Sequence, residues 1–498
     1  MKKSRILLTI AVMATGLANA AEQVYLPTEE SLSTHNAEPE WLKDAKLGIY
    51  FHWGVYSVPA FHDEWYPRRM HQPGEDCFEH HKKTYGDQSE FGYHEFVKDF
   101  KAEHFNPEEW ADLFQKAGAR FAGPVAEHHD GFSMWDSDVT PWNAMDMGPK
   151  RDILGELFQS LEKRDMKTIA TFHHSRNLQR YDESEWNKKK GQKFKDSHFP
   201  YKKEWFTGSD DPKLQYMYGN MPEAQWNEEV WLGKLKEVID TYHPDIIWFD
   251  TWMDSVPLDY RYAFSAYYLN AAEKWGKDVC IVRKQQDLPL SFSINDQEKS
   301  REPKALPQLW MTDDTISTGS WCYTTDLEIK PLYKVVHALI DTISKNGVML
   351  LNVSPMANGI IPDEQRESLL SLGAWLKKNG KAVYETRPWI EAAEGPTAEP
   401  GGGYSDHKVF LALEYSVKDI RYTASKDGKT VYAFTMGIPA KGETILLETF
   451  AKKKIAVADV TLLDGKKVKW AMTDKGLEIK LKKAVDNEFA AIFKITLK

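Results

Sequence analysis

Side chains able to move protons or hold hydroxyl groups recur in this chain at the ends of apolar runs. The run Leu47 to Phe51 ends at His52, Ala119 to Glu127 leads into His128-His129-Asp130, and Thr168 to Phe172 delivers His173-His174. Ile246, Ile247, Trp248 and Phe249 form an unbroken apolar run that ends in Asp250, while Arg283 follows Asp278 to Val282 and Asp313-Asp314 follows Gln308 to Thr312. A lone strand-end aspartate is most often a cap or turn residue. Repetition at strand after strand points elsewhere, because short apolar runs are strands buried on both faces of a parallel sheet, and the carboxyl ends of such strands are where these folds place their chemistry.

Two chemistries compete for this set. Paired histidines invite a metal, but adjacent strand residues point to opposite faces, so His128 and His129 share an ion only if the strand has already ended. The H-E-x-x-H spacing is missing, and the sequence indicates neither a metal nor a cofactor. Imidazoles and carboxylates that hydrogen-bond hydroxyls, beside indoles that cover a ring face, describe a sugar site better. Glycoside hydrolysis requires two carboxylates, of which Asp250 is the first candidate.

The elements that must carry these residues alternate. Pro107 to Gly118 has proline at its start, glycine at its end and Asn106 placed to cap it, and Arg151 to Arg164 carries Ile153, Leu154, Leu157 and Leu161 on one stripe. Further helices are expected over 227–241, 258–275, 331–345 and 363–378, with a charged, aromatic insert over 177–225. Strands alternating with helices, and no run of hairpins before about residue 385, predict an α/β fold: a (β/α) TIM-like barrel over 21–385. After Pro388 the pattern changes to short strands with Asp-Gly and Lys-Gly turns, which predicts a C-terminal all-β sandwich domain over 386–498.

A chain of 498 residues is too long for one ordinary core. Its 18 tryptophans suit a large core and stacking on sugar rings equally. Residues 1–20 have the form of an export signal, with Lys2, Lys3 and Arg5, an apolar stretch from Ile6 to Leu17, and a cut expected after Ala20. Removing them takes the formal charge from −10 to −13, since they hold three cations and no acid. That acidity argues against nucleic acid as a partner, and no later run suits a membrane helix. The expected product is an exported, periplasmic or secreted protein whose oligomeric state the sequence leaves open. Cys77, Cys280 and Cys322 form no C-x-x-C pair and are expected to be unpaired, buried thiols.

Longer motifs make the sugar chemistry specific. HWGVYSVP with EWY at 52–66, HHDGFSMWDS at 128–137, GPKRDILGEL at 148–157, WFD at 248–250 and SKNGVMLLNVSP at 344–355 resemble family 29 glycoside hydrolases, the α-L-fucosidases. The resemblance covers about residues 40–390 and implies a barrel followed by a β-sandwich, a retaining reaction through a covalent fucosyl-enzyme, and a fucose-containing glycan as substrate. It implies that Asp250 is the nucleophile and that His52, Glu64, Trp65, His128, His129 and Trp248 line the fucose pocket. His173-His174 stands where many relatives have two tyrosines, so an imidazole replaces a phenol there. The acid/base is assigned to Glu298, from the similarity of Asp296-Gln-Glu298-Lys-Ser-Arg301 to a bacterial segment, with Glu302 as runner-up; apolar walls around Glu298 would raise its pKa. By the same analogy, Arg283 orients nucleophile or sugar. An α-L-galactosidase on the same fold and a non-catalytic fucose-binding protein are the alternatives, the second disfavoured by the intact Asp250.

Overall fold

The computed structural model describes residues 24–177, 189, 211–219, 221–399 and 401–498. The export segment 1–20 and, apart from residue 189, the basic stretch 188–204 of the insert lie outside the described residues. Eight parallel strands close into a barrel in sequence order: β1 Leu47–Phe51, β2 Phe121–Glu127, β3 Lys167–Phe172, β4 Ile246–Phe249, β5 Cys280–Lys284, β6 Ile294–Asp296, β7 Trp310–Thr315 and β8 Gly347–Val353. Their apolar runs are continuous because both faces are covered. Tyr50, Phe121, Val125, Ile169, Ile246, Trp248, Val282, Met311 and Leu350 fill the barrel, while the alternate residues Ile49, Ala122, Phe172, Ile247, Phe249, Ile281 and Leu351 pack outward under the helices.

The outer helices form where their caps and stripes place them. Asn106 Oδ1 accepts from the Glu109 N–H at 3.3 Å at the head of the helix Pro107–Lys116, whose Trp110, Ala111, Leu113 and Phe114 are buried. Asp152 caps Ile153–Glu162 in the same way through the Gly155 N–H at 2.9 Å. Seven strands were legible as apolar runs; β6 is three residues long and polar, too short to show a period.

Thr386 begins an antiparallel region. One sheet has five strands in the order β13-β16-β11-β10-β9, made of Val457–Leu462, Ala491–Leu497, Thr430–Thr435, Ile420–Ser425 and Thr386–Glu394. A second has three, β12-β15-β14, from Thr444–Leu447, Leu477–Lys480 and Lys469–Met472. Ile420, Tyr422, Val431, Ile445, Leu447, Phe450, Leu477, Ile479 and Phe493 form the core between them. At least seven of the tryptophans, among them Trp53, Trp110, Trp231 and Trp310, are fully buried, so most of the indole excess serves packing. All three cysteines are buried and unpaired.

Candidate active site

A cavity of about 400 Å³ opens at the carboxyl ends of the barrel strands, a size suited to a monosaccharide. His52, Glu64, Trp65, His128, His129, His173, Asp250, Lys284, Glu298 and Asp313 line it, together with Trp252, Trp321 and Tyr404. His52 is the first residue past β1. Its backbone N–H and Nδ1 both approach Asn352 Oδ1 of β8, at 2.9 and 2.8 Å, so Nδ1 carries the proton and Nε2 is left with a lone pair. β2 ends at Glu127, so His128 and His129 leave the strand before its alternation would separate them, and both reach the cavity. A register shift between β2 and β3 at Val125/Glu127 re-aims this end of the strand. Gly131 then turns the chain at φ +78°, where a Cβ would stand 2.1 Å from the Met217 carbonyl oxygen.

Not every strand-end residue faces inward. Glu127 is paired with Lys234 at 2.8 Å, fully buried on the outer face of the barrel. Asp130 accepts from the Tyr93 hydroxyl at 2.7 Å, and His174 contacts the Trp231 carbonyl oxygen at 3.2 Å. These are scaffold contacts. Trp248, expected in the pocket, lies wholly buried beneath it, its indole N–H donating to Asp296 at 3.1 Å and its ring 5.3 Å from His173.

The centre of the site is a lysine that sequence reasoning missed. Cys280 and Val282 face the barrel interior, and Lys284 continues their phase, while Arg283 falls on the opposite face and is absent from the cavity wall. The expectation that Arg283 would orient nucleophile or sugar is therefore corrected. Lys284 Nζ donates to Asp250 Oδ1 at 3.2 Å, Glu298 Oε2 at 3.0 Å and Asp313 Oδ2 at 3.1 Å, and lies 4.0 Å from Asp296. Because they share one nitrogen, the Asp250 and Glu298 oxygens are at most about 6 Å apart. Glu298 therefore does not sit between apolar walls, as expected from sequence; its neighbour is an ammonium. Glu302 is turned aside, accepting from the Gln297 side chain, and does not line the cavity.

Electrostatics separates Asp250 from Asp296 and Asp313. Burial pushes the Asp250 carboxyl up, but Lys284, His173 and His129 overcome it and hold it well below the usual range; His129 Nε2 stands 3.2 Å and His173 Nδ1 3.4 Å from Oδ2. Burial and the neighbouring Asp296 push Asp313 well up, and Asp296 is itself raised by burial. Burial dominates at the histidines too: His52 and His128 are held well below the usual value and His129 down to about 4. The three are neutral near pH 7, so each ring has one donor and one acceptor nitrogen; Asn352 takes the donor of His52 and Asp250 that of His129, which leaves an acceptor nitrogen on each. Burial, then Asp63, pushes Glu64 up to about 8, making it a neutral acid at pH 7.

Two groups of donors, His52 with His128 and His173, and His129 with His173 and Asp250, have ligand atoms within 4.8 Å of one another. Either could hold an ion; the same ring nitrogens suit a ring of hydroxyls. Backbone strain marks the same rim. Trp252, Gln285 and Lys299, in the loops after β4, β5 and β6, adopt φ of +69°, +53° and +44°. Each costs on the order of 1 kcal/mol or more and is held by the surrounding structure, as is usual at functional sites. Trp321 and Tyr404 could not be found from local sequence, since Trp321 comes from a loop and Tyr404 from the single 3-10 turn Tyr404–Asp406, too short to show a period.

Comparison with known proteins agrees with this geometry. Residues 12–381 match the family described as Alpha-L-fucosidase, and residues 414–496 its C-terminal domain. The tissue α-L-fucosidase of Rattus norvegicus is 33% identical over 416 residues, 78% of each chain, and that of Macaca fascicularis is 30% identical over 99% of this chain and 96% of its own. The crystal structure of the Thermotoga maritima α-fucosidase in complex with fucose superimposes with a TM-score of 0.72 at 26% identity, covering 95% of this chain and all of that one. With the barrel, the appended sheets and the matched motifs all in agreement, this chain belongs to the α-L-fucosidase family, family 29 of the glycoside hydrolases.

Proposed function

We propose that the protein is a retaining, exo-acting α-L-fucosidase that removes terminal fucosyl residues from a glycan, with Asp250 as nucleophile and Glu298 as acid/base. The observation that carries this reading is the single Lys284 ammonium shared by the two carboxyl groups within a cavity walled by histidines. Retaining glycosidases hold their carboxyls roughly 5–5.5 Å apart, inverting ones at roughly 6.5–9.5 Å. A shared nitrogen favours the first.

In the first step an Asp250 oxygen forms a bond to the anomeric carbon as the bond from that carbon to the leaving oxygen breaks, and Glu298 gives its proton to that oxygen. In the second, Glu298 takes a proton from water, the water oxygen bonds to the anomeric carbon, and the ester to Asp250 breaks. Negative charge disappears at Asp250 as it appears at Glu298, then returns. Lys284 faces both oxygens and serves as counter-charge in either state, without reorganisation. His52, His128, His129 and His173, with a protonated Glu64 and the Trp65 ring, would receive the sugar. Export through residues 1–20, with a cut after Ala20, belongs to the same reading; no helix among the described residues is long and apolar enough to cross a membrane.

The test is hydrolysis of an aryl α-L-fucoside beside the matched α-L-galactoside. Asp250→Ala should lose on the order of 10⁴-fold or more in kcat, the scale of removing a nucleophile. Azide should restore turnover and give the β-fucosyl azide. An azide product of α configuration, or an active Asp250→Ala enzyme, would overturn the assignment.

A further inference from the structure

The barrel alone does not complete the cavity. Tyr404, more than fifty residues past the last barrel strand, lines it together with Asp250 and Glu298, yet keeps half of its surface exposed. We infer that Tyr404 is the aromatic wall of a leaving-group subsite, which receives the pyranose ring to which the fucosyl residue is attached. The inference rests on the catalytic assignment above.

Its position relative to the acid is built in. The chain carrying Tyr404 is bonded to the loop carrying Glu298: the Arg301 N–H donates to the Gly402 carbonyl at 3.2 Å, and the Gly402 N–H returns the bond at 3.1 Å. Gly402 has φ +155°, and a Cβ there would stand 2.5 Å from the Asp406 carboxylate, so glycine is required for the turn. Asp406 closes that turn, its N–H donating to the Gly403 carbonyl at 2.9 Å and its carboxylate accepting from the Gly403 N–H at 3.2 Å. His407 stacks on the Tyr404 ring, 5.0 Å between centroids at 17°, with its Nδ1 2.8 Å from the Tyr404 carbonyl oxygen. The ring is thus backed on one face, and among the described residues no second ring covers the other.

The chemistry follows from where the proton goes. Glu298 delivers it to the glycosidic oxygen, and every atom beyond that oxygen belongs to the leaving group. A side chain held beside the acid at the open rim therefore meets the leaving group, while the histidines and Asp250 below hold the fucosyl ring. An aromatic face packs on the C–H face of a pyranose. Burial, followed by the Glu298 and Glu64 carboxylates, pushes the phenol up to about 12, so it stays a hydrogen-bond donor at neutral pH.

The test compares α-L-fucosyl fluoride, which has no leaving-group ring, with a panel of α-L-fucosyl disaccharides of different linkage. In Tyr404→Ala the ratio of disaccharide to fluoride kcat/KM should fall about tenfold for the preferred linkage, the scale of one aromatic contact. Tyr404→Phe should hold that ratio within about threefold. If the ratio is unmoved in Tyr404→Ala for every linkage while both substrates still turn over, the subsite is refuted and the catalytic reading stands. If both substrates fall in parallel, Tyr404 belongs to the fucosyl pocket and the inference is equally overturned. An Asp250→Ala enzyme that keeps fluoride turnover would instead remove the reading on which the subsite rests.

Discussion

Charges are buried at two places in this molecule under opposite rules. Where the barrel meets the C-terminal sheets, Arg421 of β10 and Lys345 both bind Asp341 of the helix Leu332–Ser344, at 2.5 and 3.0 Å, and all three are essentially inaccessible. The remaining guanidinium donors reach the Ile420 and Thr397 carbonyl oxygens at 3.0 and 2.8 Å. Burial raises the Asp341 carboxyl, but Arg421 and Lys345 overcome it and hold it below its ordinary value. Around Lys284 one ammonium faces four carboxyls, and polar atoms are left over: Asp313 Oδ1, His128 Nδ1, His129 Nδ1 and His173 Nε2 are buried without a hydrogen-bond partner. A cluster whose every atom is satisfied holds elements together. One with surplus acids and idle nitrogens is poised for a ligand that supplies hydroxyls and accepts a proton.

Substitution separates the two. Lys284→Met should lower kcat/KM by about 10³-fold, the scale of one preorganised electrostatic contact to developing charge. It also removes the cation that holds the Asp250 carboxyl down, so the acid limb of the remaining activity should move to higher pH. A rate profile that keeps its acid limb in place would show that Lys284 does not govern Asp250. Arg421→Met should do the reverse: about 3 kcal/mol of stability lost, because Asp341 stays buried with half its counter-charge, with kcat/KM per folded molecule preserved. Thermal melts beside active-site titration would check it, and a crippled but fully stable Arg421→Met enzyme would erase the contrast.

The sequence exposed this contrast unevenly. Asp250, His52 and the His128-His129 pair stood out because each follows an apolar run, and the run itself told that the strand was buried on both faces. That same double burial hid the phase of β5. With Cys280, Ile281 and Val282 all apolar, nothing local distinguishes inward from outward, so the family analogy that points to Arg283 has no local signal to check it, and Lys284 goes unseen. The same ambiguity covered Asp313, which faces Lys284, and Asp314, which pairs with Lys330 at 2.7 Å instead. The resemblance implies Trp248 in the pocket, but strand alternation sets its ring one layer deeper, beneath the cavity. β6, Trp321 and Tyr404 depend on contacts between residues far apart in the chain, which no window of sequence displays.

The smallest expected effect probes whether the surplus of acids at the site is a cost to the fold. Glu64 is raised to about 8 by burial and then by Asp63, whereas its ordinary value is about 4.5. Between those values the folded chain holds a proton that the unfolded chain has released, so this group lowers stability progressively as pH rises from about 4.5 to 8, and no further above. Glu64→Gln keeps an uncharged hydrogen-bonding group in place and removes the titration. Its melting temperature should therefore gain on that of the parent as pH rises from 5 to 8, by a few degrees at the upper end. In the parent, the alkaline limb of kcat/KM should fall near pH 8, as the Glu64 proton that could be donated to a sugar hydroxyl is lost, and Glu64→Gln should flatten that limb. A melting difference that is constant across this range would mean that Glu64 is ionised in the folded protein, and the site would then carry its negative charge at neutral pH with Lys299 as the opposing cation.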